Sequence, residues 1–173
     1  DVIHANTFGS TPAKLAAVGL AGRCREVNAA AVVLARSACG PGTLVAGDIG
    51  PTGLLLPPVG GGTVEAMRAS FAEQAAALAA AGVDLLSIET MFDLREALAA
   101  LDAARATGLP VAASMTFEAR PRGFATIMGN RLAPALAELE GAGADAVGCN
   151  CSVAPEAMVG MVQAAVAAVR IPV

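Results

Sequence analysis

The stretch Asp145–Ser152 has the sequence Asp-Ala-Val-Gly-Cys-Asn-Cys-Ser. Its apolar run, 146–148, is typical of a short strand that is covered on both faces. Two thiols, an amide and a hydroxyl follow directly after this run. Because parallel α/β folds place their chemistry at the C-terminal ends of strands, we predict a buried parallel strand whose end belongs to a functional site.

The same arrangement recurs along the chain, where apolar runs end in polar residues and alternate with helical patterns. The other predicted strands are Val2–Asn6, Leu44–Asp48, Leu85–Glu89 and Val111–Met115. The predicted helices lie near residues 25–38, 63–81, 93–107, 130–140 and 155–169. This alternation predicts an α/β domain with a parallel sheet. A doubly wound sheet fits the periodicity too, but a (β/α)8 TIM barrel is favoured because polar residues follow every strand.

The composition indicates one domain, residues 1–173, and excludes several function classes. The chain is 55% hydrophobic, has a net charge of −4 and contains a single lysine. No basic patch that would attract nucleic acid is present. No apolar run approaches the roughly 20 residues of a membrane helix. The four unevenly spaced cysteines indicate free thiols or metal ligands in a cytoplasmic protein rather than disulfides.

Candidate site residues are the polar residues at the ends of the predicted strands. Glu89 follows an apolar strand directly, and a buried acid is costly unless it meets a polar or cationic group. Asn6 and Thr7 end the first strand, and Asp48 ends the second. We expect Glu89 to point into a cavity at the rim of the sheet, toward Asn6 and Cys151.

Other features are interpreted as structural. His4, the only histidine, is taken as a partly buried polar residue of a strand. The glycines at 60–62 lack the Lys-Ser/Thr of a P-loop and indicate a flexible loop. Asp93 and Glu96 have the spacing of a capping box. The helix near 25–38 presents an apolar face formed by residues 27, 31, 34 and 38.

Four motifs occur in order, each after a predicted strand. They are Ala5-Asn6-Thr7-Phe8, Gly47-Asp48-Ile49-Gly50-Pro51-Thr52-Gly53, Ile88-Glu89-Thr90 with Asp93, and Gly148-Cys149-Asn150-Cys151-Ser152. Together they resemble the homocysteine S-methyltransferase family, which includes the homocysteine-binding module of methionine synthase and the betaine-dependent enzymes. The resemblance covers essentially the whole chain.

The resemblance implies a (β/α)8 barrel that transfers a methyl group to homocysteine to give methionine. In that family a zinc ion is held by three cysteine thiolates, and Cys151 matches the first of them. Glu89 matches the acid near the homocysteine amino group, and Asn6 and Thr7 match residues at the same mouth. Asp48 and Asn150, in the matched motifs, complete the expected substrate-binding set. The implied partners are homocysteine, a methyl donor and, in some members, a cobalamin or folate domain.

The chain also departs from the family pattern. It has no Cys-Cys pair and lacks the family's first strand with its Asp-Gly motif. We therefore expect a fragment that carries roughly strands two to seven, with the other two zinc ligands beyond Val173. Cys149 lies two residues before Cys151, on the same side of an extended strand, and we expect a small apolar position there. Cys24 and Cys39 are expected to be packing or surface thiols.

Two other classes of function remain open at this point. One is a zinc-independent barrel enzyme, such as a lyase or a corrinoid- or pterin-linked methyltransferase, that uses Asp48 and Glu89. The other is a non-catalytic barrel remnant that acts as a binding module. The sequence leaves the methyl donor open among methylcobalamin, betaine and S-methylmethionine.

Overall fold

The computed structural model describes residues 1–151 and 153–173, so that Ser152 of the last motif lies outside the described residues. The strands are β1 (Val2–His4), β2 (Leu44–Ile49), β3 (Leu85–Met91), β4 (Val111–Met115), β5 (Glu118–Arg120), β6 (Gly123–Ala125) and β7 (Ala146–Cys149). The helices are α1 (Pro12–Ala17), α2 (Cys24–Ala38), α3 (Val64–Ala81), α4 (Leu94–Arg105), α5 (Leu132–Gly141) and α6 (Pro155–Val166).

Five strands form one sheet in the order β1-β2-β3-β4-β7, and every neighbouring pair is parallel. This confirms the predicted strands and their sequential order. Gly82 ends α3 in the left-handed conformation, with φ of 87°, which is readily accessible to glycine. On the far edge of β7, the backbone N–H of Val147 donates to the carbonyl of Pro172 at 3.0 Å. The edge strands of this sheet are therefore β1 and β7, and Pro172 lies along β7.

The core lies between one face of the sheet and the helices. Strand side chains alternate between faces, and the helix-facing positions are apolar and fully buried, such as Val45, Leu86 and Val111. Gly47 allows close packing of α3, because a Cβ at this position would lie 2.9 Å from a methyl group of Leu78. Leu44, on the opposite face of the sheet, remains 46% exposed.

The helix predicted at 25–38 is confirmed as α2, but its predicted apolar face is not the buried one. The helix buries Cys24, Asn28 and Val32, whereas Leu34 of the predicted face is 70% exposed. A polar residue occupies the buried stripe because the Asn28 amide donates to two backbone carbonyls, those of Ser10 at 3.0 Å and Cys24 at 2.8 Å. Hydrophobic periodicity alone could not identify that stripe. The predicted face instead lines an open groove beside β1.

The segment predicted as a loop at 118–129 contains the antiparallel hairpin β5–β6, in which Ala119 pairs with Phe124. Its first strand is exposed throughout and carries no apolar alternation, so the residue pattern does not predict a strand there. α6 ends at Val166, three residues earlier than expected. Among the described residues, none of the helices is both long and apolar enough to cross a bilayer.

Candidate functional site

Glu89 stands at the centre of a polar cluster at the C-terminal ends of the parallel strands. Its Oε2 accepts a hydrogen bond from the Asn150 amide at 2.8 Å. Its Oε1 lies 3.2 Å from Nδ1 of His4. The side chain is 21% exposed, so the carboxylate is partly desolvated but remains open to a small ligand. The cluster therefore offers a fixed negative group at the rim.

Asn150 has hydrogen-bond partners for both ends of its amide. Its Oδ1 accepts from the backbone N–H of Thr90 at 2.9 Å and from the Ser114 hydroxyl at 3.0 Å. Its Nδ2 donates to Glu89 and to Thr90 Oγ1, each at 2.8 Å. A backbone N–H can only donate, so the amide orientation is determined. Asn150 thus holds the Glu89 carboxylate in one place.

An irregularity in β3 brings Glu89 and Thr90 to the same amide. The register against β4 shifts between Ile88 and Met91, and Thr90 has a φ of 60°. Neighbouring residues of a regular strand point to opposite faces, whereas a bulge re-aims a side chain. Positive φ at a β-branched residue is strained and occurs mainly where surrounding contacts enforce it. Here those contacts come from Asn150.

Cys151 places an exposed thiol beside this cluster. Its Sγ lies 3.4 Å from Thr90 Oγ1 and 3.6 Å from the Asn150 amide nitrogen. Cys149 lies elsewhere, with its thiol 3.4 Å from Met158 Sδ on α6. The two cysteines do not share a side, as an extended strand would require, because Cys151 adopts a φ of 60°. Burial raises the pKa of the Cys149 thiol, which fits a packing role.

Asp48 is the buried acid of the cluster. Burial, followed by the charge and the hydrogen bond of neighbouring Glu89, raises the pKa of Asp48 to about 8. Its Oδ2 lies 3.8 Å from Nδ1 of His4, and its Oδ1 is buried without a hydrogen-bond partner among the described residues. Asp48 therefore holds a proton at neutral pH, so that it does not add a second full charge beside Glu89.

His4 belongs to this cluster, contrary to its interpretation as a purely structural residue. Its imidazole contacts Glu89 and faces Asp48, and its side chain is 45% exposed. The sequence alone could not show this, because the contact depends on the register between β1 and β2. His4 pairs in register with Ala46, two residues before Asp48, so the period of two places His4 and Asp48 on one face of the sheet.

Thr7 lies beside Asp48, whereas Asn6 lies in the open groove next to α2. Thr7 is fully buried, and its hydroxyl donates to the Asp48 carbonyl at 2.8 Å and accepts from the Asp48 N–H at 3.0 Å. Gln74 on α3 donates to the Thr7 carbonyl at 2.7 Å and secures the same loop. Thr7 thus acts on the site through Asp48. Asn6 is exposed in the groove between β1 and α2, and within the described chain no hydrogen bond joins it to Glu89 or Cys151.

The loop after β2 is held by Glu96, which does not complete the expected capping box. The buried Glu96 carboxylate accepts from Thr52 twice, from its N–H at 2.8 Å and its hydroxyl at 2.6 Å. Asp93 alone caps α4, accepting from the N–H of Arg95 at 2.9 Å. Burial raises the pKa of Glu96, with the Thr52 hydrogen bonds opposing that rise. Sequence reasoning missed Thr52 because its partner lies on another element.

The described residues offer two kinds of metal ligand at the rim. Cys151 is the only exposed cysteine, and a thiolate at an accessible strand end suits zinc. Cys24 is unsuited, because burial chiefly raises the pKa of its thiol to about 11. Separately, ligand atoms of His4, Asp48 and Glu89 lie within 4.8 Å of one another. Among the described residues, the rim therefore offers one accessible thiol and, apart from it, one compact set of imidazole and carboxylate groups.

Comparisons with known proteins agree with this arrangement of strands. The methionine synthases of Mycobacterium leprae and Mycobacterium tuberculosis are each 28% identical to the chain over 170 residues, which is 91% of this chain and 14% of each relative. The solved homocysteine methyltransferase MmuM from Escherichia coli superposes with a TM-score of 0.79 in its metallated form, at 27% identity, over 97% of this chain and 63% of that one. Its apo form gives a TM-score of 0.71 at 28% identity, over 85% of this chain and 56% of that one.

The chain therefore spans less than two thirds of the length of these relatives. The family described as "Homocysteine S-methyltransferase" matches residues 1–173, the entire chain. This match covers all four strand-end motifs together with the helices between them. The chain belongs to the homocysteine S-methyltransferase family.

Proposed function

We propose that this chain forms the homocysteine-binding part of an enzyme that transfers a methyl group to the homocysteine thiol to give methionine. One observation carries the proposal: Glu89, Asn150 and Cys151 meet at one rim of the parallel sheet. An oriented acid next to an exposed thiol suits a substrate that carries both an ammonium group and a sulfur atom. Family membership supports the same reaction.

The proposal extends the observed sheet to a closed (β/α)8 barrel. The five parallel strands follow chain order, as successive strands of such a barrel do. Two features support further strands at the edges. The backbone of Pro172 already pairs with Val147 beside β7, and an open groove beside β1 exposes apolar residues of α2. The rim described above then becomes the C-terminal mouth of the barrel, where barrel enzymes have their active sites.

In this proposal the acidic cluster binds the amino-acid end of homocysteine. Glu89 accepts hydrogen bonds from the ammonium group through Oε1, while Asn150 keeps Oε2 occupied and the carboxylate fixed. Burial chiefly raises the pKa of Asp48, which favours a single negative charge at the rim before the ligand binds. Partial burial strengthens the pairing of Glu89 with the ammonium group because the local dielectric constant is below that of water.

Cys151 would hold the zinc ion expected for the family, together with two thiolates from outside residues 1–173. A homocysteine thiol has an ordinary pKa of about 8.5, and bound zinc would lower that pKa and supply an activated thiolate at neutral pH. The protein's own task is to present Cys151 at an open rim beside the bound amino acid. The hydroxyl of Thr90 and the amide nitrogen of Asn150 lie 3.4 Å and 3.6 Å from Cys151 Sγ.

A second candidate is favoured by one observation. His4, Asp48 and Glu89 form a compact ligand set that excludes Cys151. A barrel enzyme that needs no thiolate-bound zinc, such as a lyase or a corrinoid- or pterin-linked methyltransferase, would use this set. In that case the activity would survive replacement of Cys151.

The test is methionine formation by the intact protein from homocysteine with methylcobalamin, betaine or S-methylmethionine, each supplied separately and measured by mass spectrometry. Glu89→Gln should raise KM for homocysteine about tenfold, because a charged hydrogen bond becomes a neutral one. Zinc content should stay unchanged. Glu118→Gln, on the exposed strand β5, is the matched control and should behave as wild type.

The outcomes separate the candidates. Methionine formation that depends on Glu89 and Cys151 supports the proposal. Full activity of Cys151→Ser would instead favour the zinc-independent enzyme. Homocysteine binding without methyl transfer from any of these donors would instead identify a non-catalytic binding module.

A further inference from the structure

Gln74 is a fully buried polar residue on the core-facing side of α3. It lies between Phe71 and Leu78, which are also fully buried. Its Oε1 is buried and has no hydrogen-bond partner among the described residues. A buried polar atom without a partner lowers stability, and a methionine of similar length would fill the position without that cost. The glutamine at this position therefore needs an explanation other than packing.

The orientation of the Gln74 amide follows from its neighbours. Its Nε2 lies 2.7 Å from the Thr7 carbonyl oxygen and 3.4 Å from the Asp48 carbonyl oxygen. It also lies 3.3 Å from Oδ1 of Asn28, whose own Nδ2 donates to two backbone carbonyls and is thereby oriented. All three neighbours are acceptors, so the opposite orientation would place oxygen against oxygen. The unpartnered Oε1 is thus the consequence of keeping a donor at this place.

The two backbone carbonyls have other donors besides Gln74. The Thr7 carbonyl accepts from the N–H of Ser10 at 3.0 Å, and the Asp48 carbonyl accepts from the Thr7 hydroxyl at 2.8 Å. Neither carbonyl would therefore be unpaired without Gln74. What the Gln74 amide contributes is a connection between elements, because it joins the loop after β1 and the end of β2 to α3.

We propose that Gln74 is a positioning residue of the rim, which holds the end of β2 from the helix layer so that the Asp48 carboxyl group stays beside Glu89. These two acids belong to the cluster whose ligand atoms lie within 4.8 Å of one another. Gln74 acts on them through the backbone, since its amide contacts the carbonyls of Thr7 and Asp48. The inference rests on the proposed function: a displaced Asp48 should weaken homocysteine binding and leave the methyl-transfer step unchanged.

The experiment measures backbone protection and kinetics separately, on the intact protein, for wild type, Gln74→Met and a control. Hydrogen–deuterium exchange is read by mass spectrometry in peptides that cover residues 5–10 and 46–50, with a peptide of α5 as the reference. Homocysteine binding is measured by calorimetry, and KM and kcat by methyl transfer. Gln74→Leu is the second variant at this position, in case Gln74→Met fails to fold.

Val111→Ala is the matched control for a general loss of stability. Val111 is fully buried at the start of β4, at the opposite end of the strands from the rim. Such a control is needed because Gln74→Met also removes the donor of Asn28 Oδ1. Val111→Ala should speed exchange to a similar extent in all three peptides and keep the KM of wild type.

Gln74→Met should speed exchange in the two rim peptides about tenfold relative to the α5 peptide, because the lost hydrogen bonds are local. It should raise KM for homocysteine about fivefold, the order of one neutral hydrogen bond, with kcat unchanged. Exchange that rises equally in all three peptides would overturn the inference. An unchanged KM, or an equal rise of KM in Val111→Ala, would overturn it too.

Failure of the proposed function gives a different result. Wild type that binds no homocysteine, or transfers no methyl group to it, contradicts the proposed function. The exchange comparison then still decides whether Gln74 holds the end of β2: acceleration confined to the rim peptides supports the inference, and uniform acceleration overturns it.

Discussion

Glu89 and Asn150 are joined by a 2.8 Å hydrogen bond although β4 lies between the strands that carry them. The amide spans this gap through Ser114 of β4, whose hydroxyl donates to the other end of the same side chain. One residue therefore fixes the relative positions of three strand ends. The strained backbone of Thr90 lies within the same set of hydrogen bonds.

Asn150→Asp should disrupt the rim while retaining the shape of the side chain. The carboxylate can still accept from Thr90 and Ser114, but it can no longer donate to Glu89 and instead places a negative charge against it. We expect a loss of about 2 kcal/mol in the free energy of unfolding and a large loss of homocysteine affinity. Urea denaturation and calorimetry measure the two effects.

Asn130→Asp is the matched control. The Asn130 side chain uses only its oxygen in hydrogen bonds of the described chain, accepting from Leu94 N–H and the Thr126 hydroxyl. An aspartate keeps both bonds, and a negative charge near the N-terminus of α4 is favourable. Its stability should stay within about 0.5 kcal/mol of wild type. Equal losses in the free energy of unfolding of Asn150→Asp and Asn130→Asp would contradict a special role for the hydrogen bonds that the Asn150 amide donates.

Asp48 should make the folded state less stable as the pH rises. The carboxyl has a pKa of about 8 in the folded protein, raised chiefly by burial, against about 3.9 in an unfolded chain. Between these values the folded state keeps a proton that the unfolded state releases, so the free energy of unfolding falls with rising pH across this window. Asp48→Asn, which resembles the protonated form, should flatten that slope and be more stable than wild type at pH 8.

Asp84 provides a control, because its contribution to the free energy of unfolding changes with pH in the opposite direction. Its pKa is lowered, first by the backbone N–H of Val45, so it contributes stability above the unfolded pKa that is lost as the pH falls. Asp84→Asn should therefore be less stable than wild type at neutral pH. Urea titrations from pH 4 to pH 9 compare the variants. A wild-type slope that persists in Asp48→Asn would assign the pH dependence to another group.

The arrangement of the strands could be predicted from sequence because each strand and helix has its own local signal. Apolar runs, the glycine that ends α3 and the Asp93 cap of α4 are features of contiguous residues. A parallel order that follows the chain then places all strand ends at one rim. For this reason the position of Glu89 followed from the sequence.

The contacts within the rim could not be predicted, because they depend on irregular backbone. The joint orientation of Glu89 and Thr90 requires the register shift in β3, for which no residue pattern was evident. The role of His4 depends on the pairing of β1 with β2. The buried stripe of α2 includes the polar Asn28, whose amide donates to the Ser10 carbonyl outside the helix. In each case a long-range contact outweighed the local pattern.

Thr52→Val should loosen the loop that follows β2. The substitution removes the hydroxyl that donates to buried Glu96 at 2.6 Å and accepts from the N–H of Leu54 at 3.1 Å. We expect a loss of about 1–2 kcal/mol in the free energy of unfolding, because a buried carboxylate oxygen loses a donor. Glu96→Gln keeps an acceptor for Thr52, so it should lower the free energy of unfolding by less than Thr52→Val does. The reverse order of the two losses, measured by urea denaturation, would contradict this role of the hydroxyl.

The four cysteines should differ in zinc binding and in reactivity. Cys151 is exposed at the rim, whereas Cys149 packs against Met158 and Cys24 is buried beneath the Ser10 carbonyl. In the intact protein, Cys151→Ser should remove most bound zinc and nearly all methyl transfer, since the proposed zinc site would lose one of its thiolate ligands. Serine substitutions at Cys149, Cys24 and Cys39 should leave the zinc content close to that of wild type.

Metal analysis of the four variants can be combined with alkylation of the metal-free protein by iodoacetamide at neutral pH. Cys151 is exposed and should be labelled early, whereas Cys24, which is buried and has a thiol pKa of about 11, should be protected in the folded state. If Cys149→Ser loses as much zinc as Cys151→Ser, this strand supplies two ligands despite the Met158 contact. If neither loses zinc, thiolate ligation at this rim is wrong, and the carboxylate and imidazole cluster around Glu89 becomes the site to test for a metal ion.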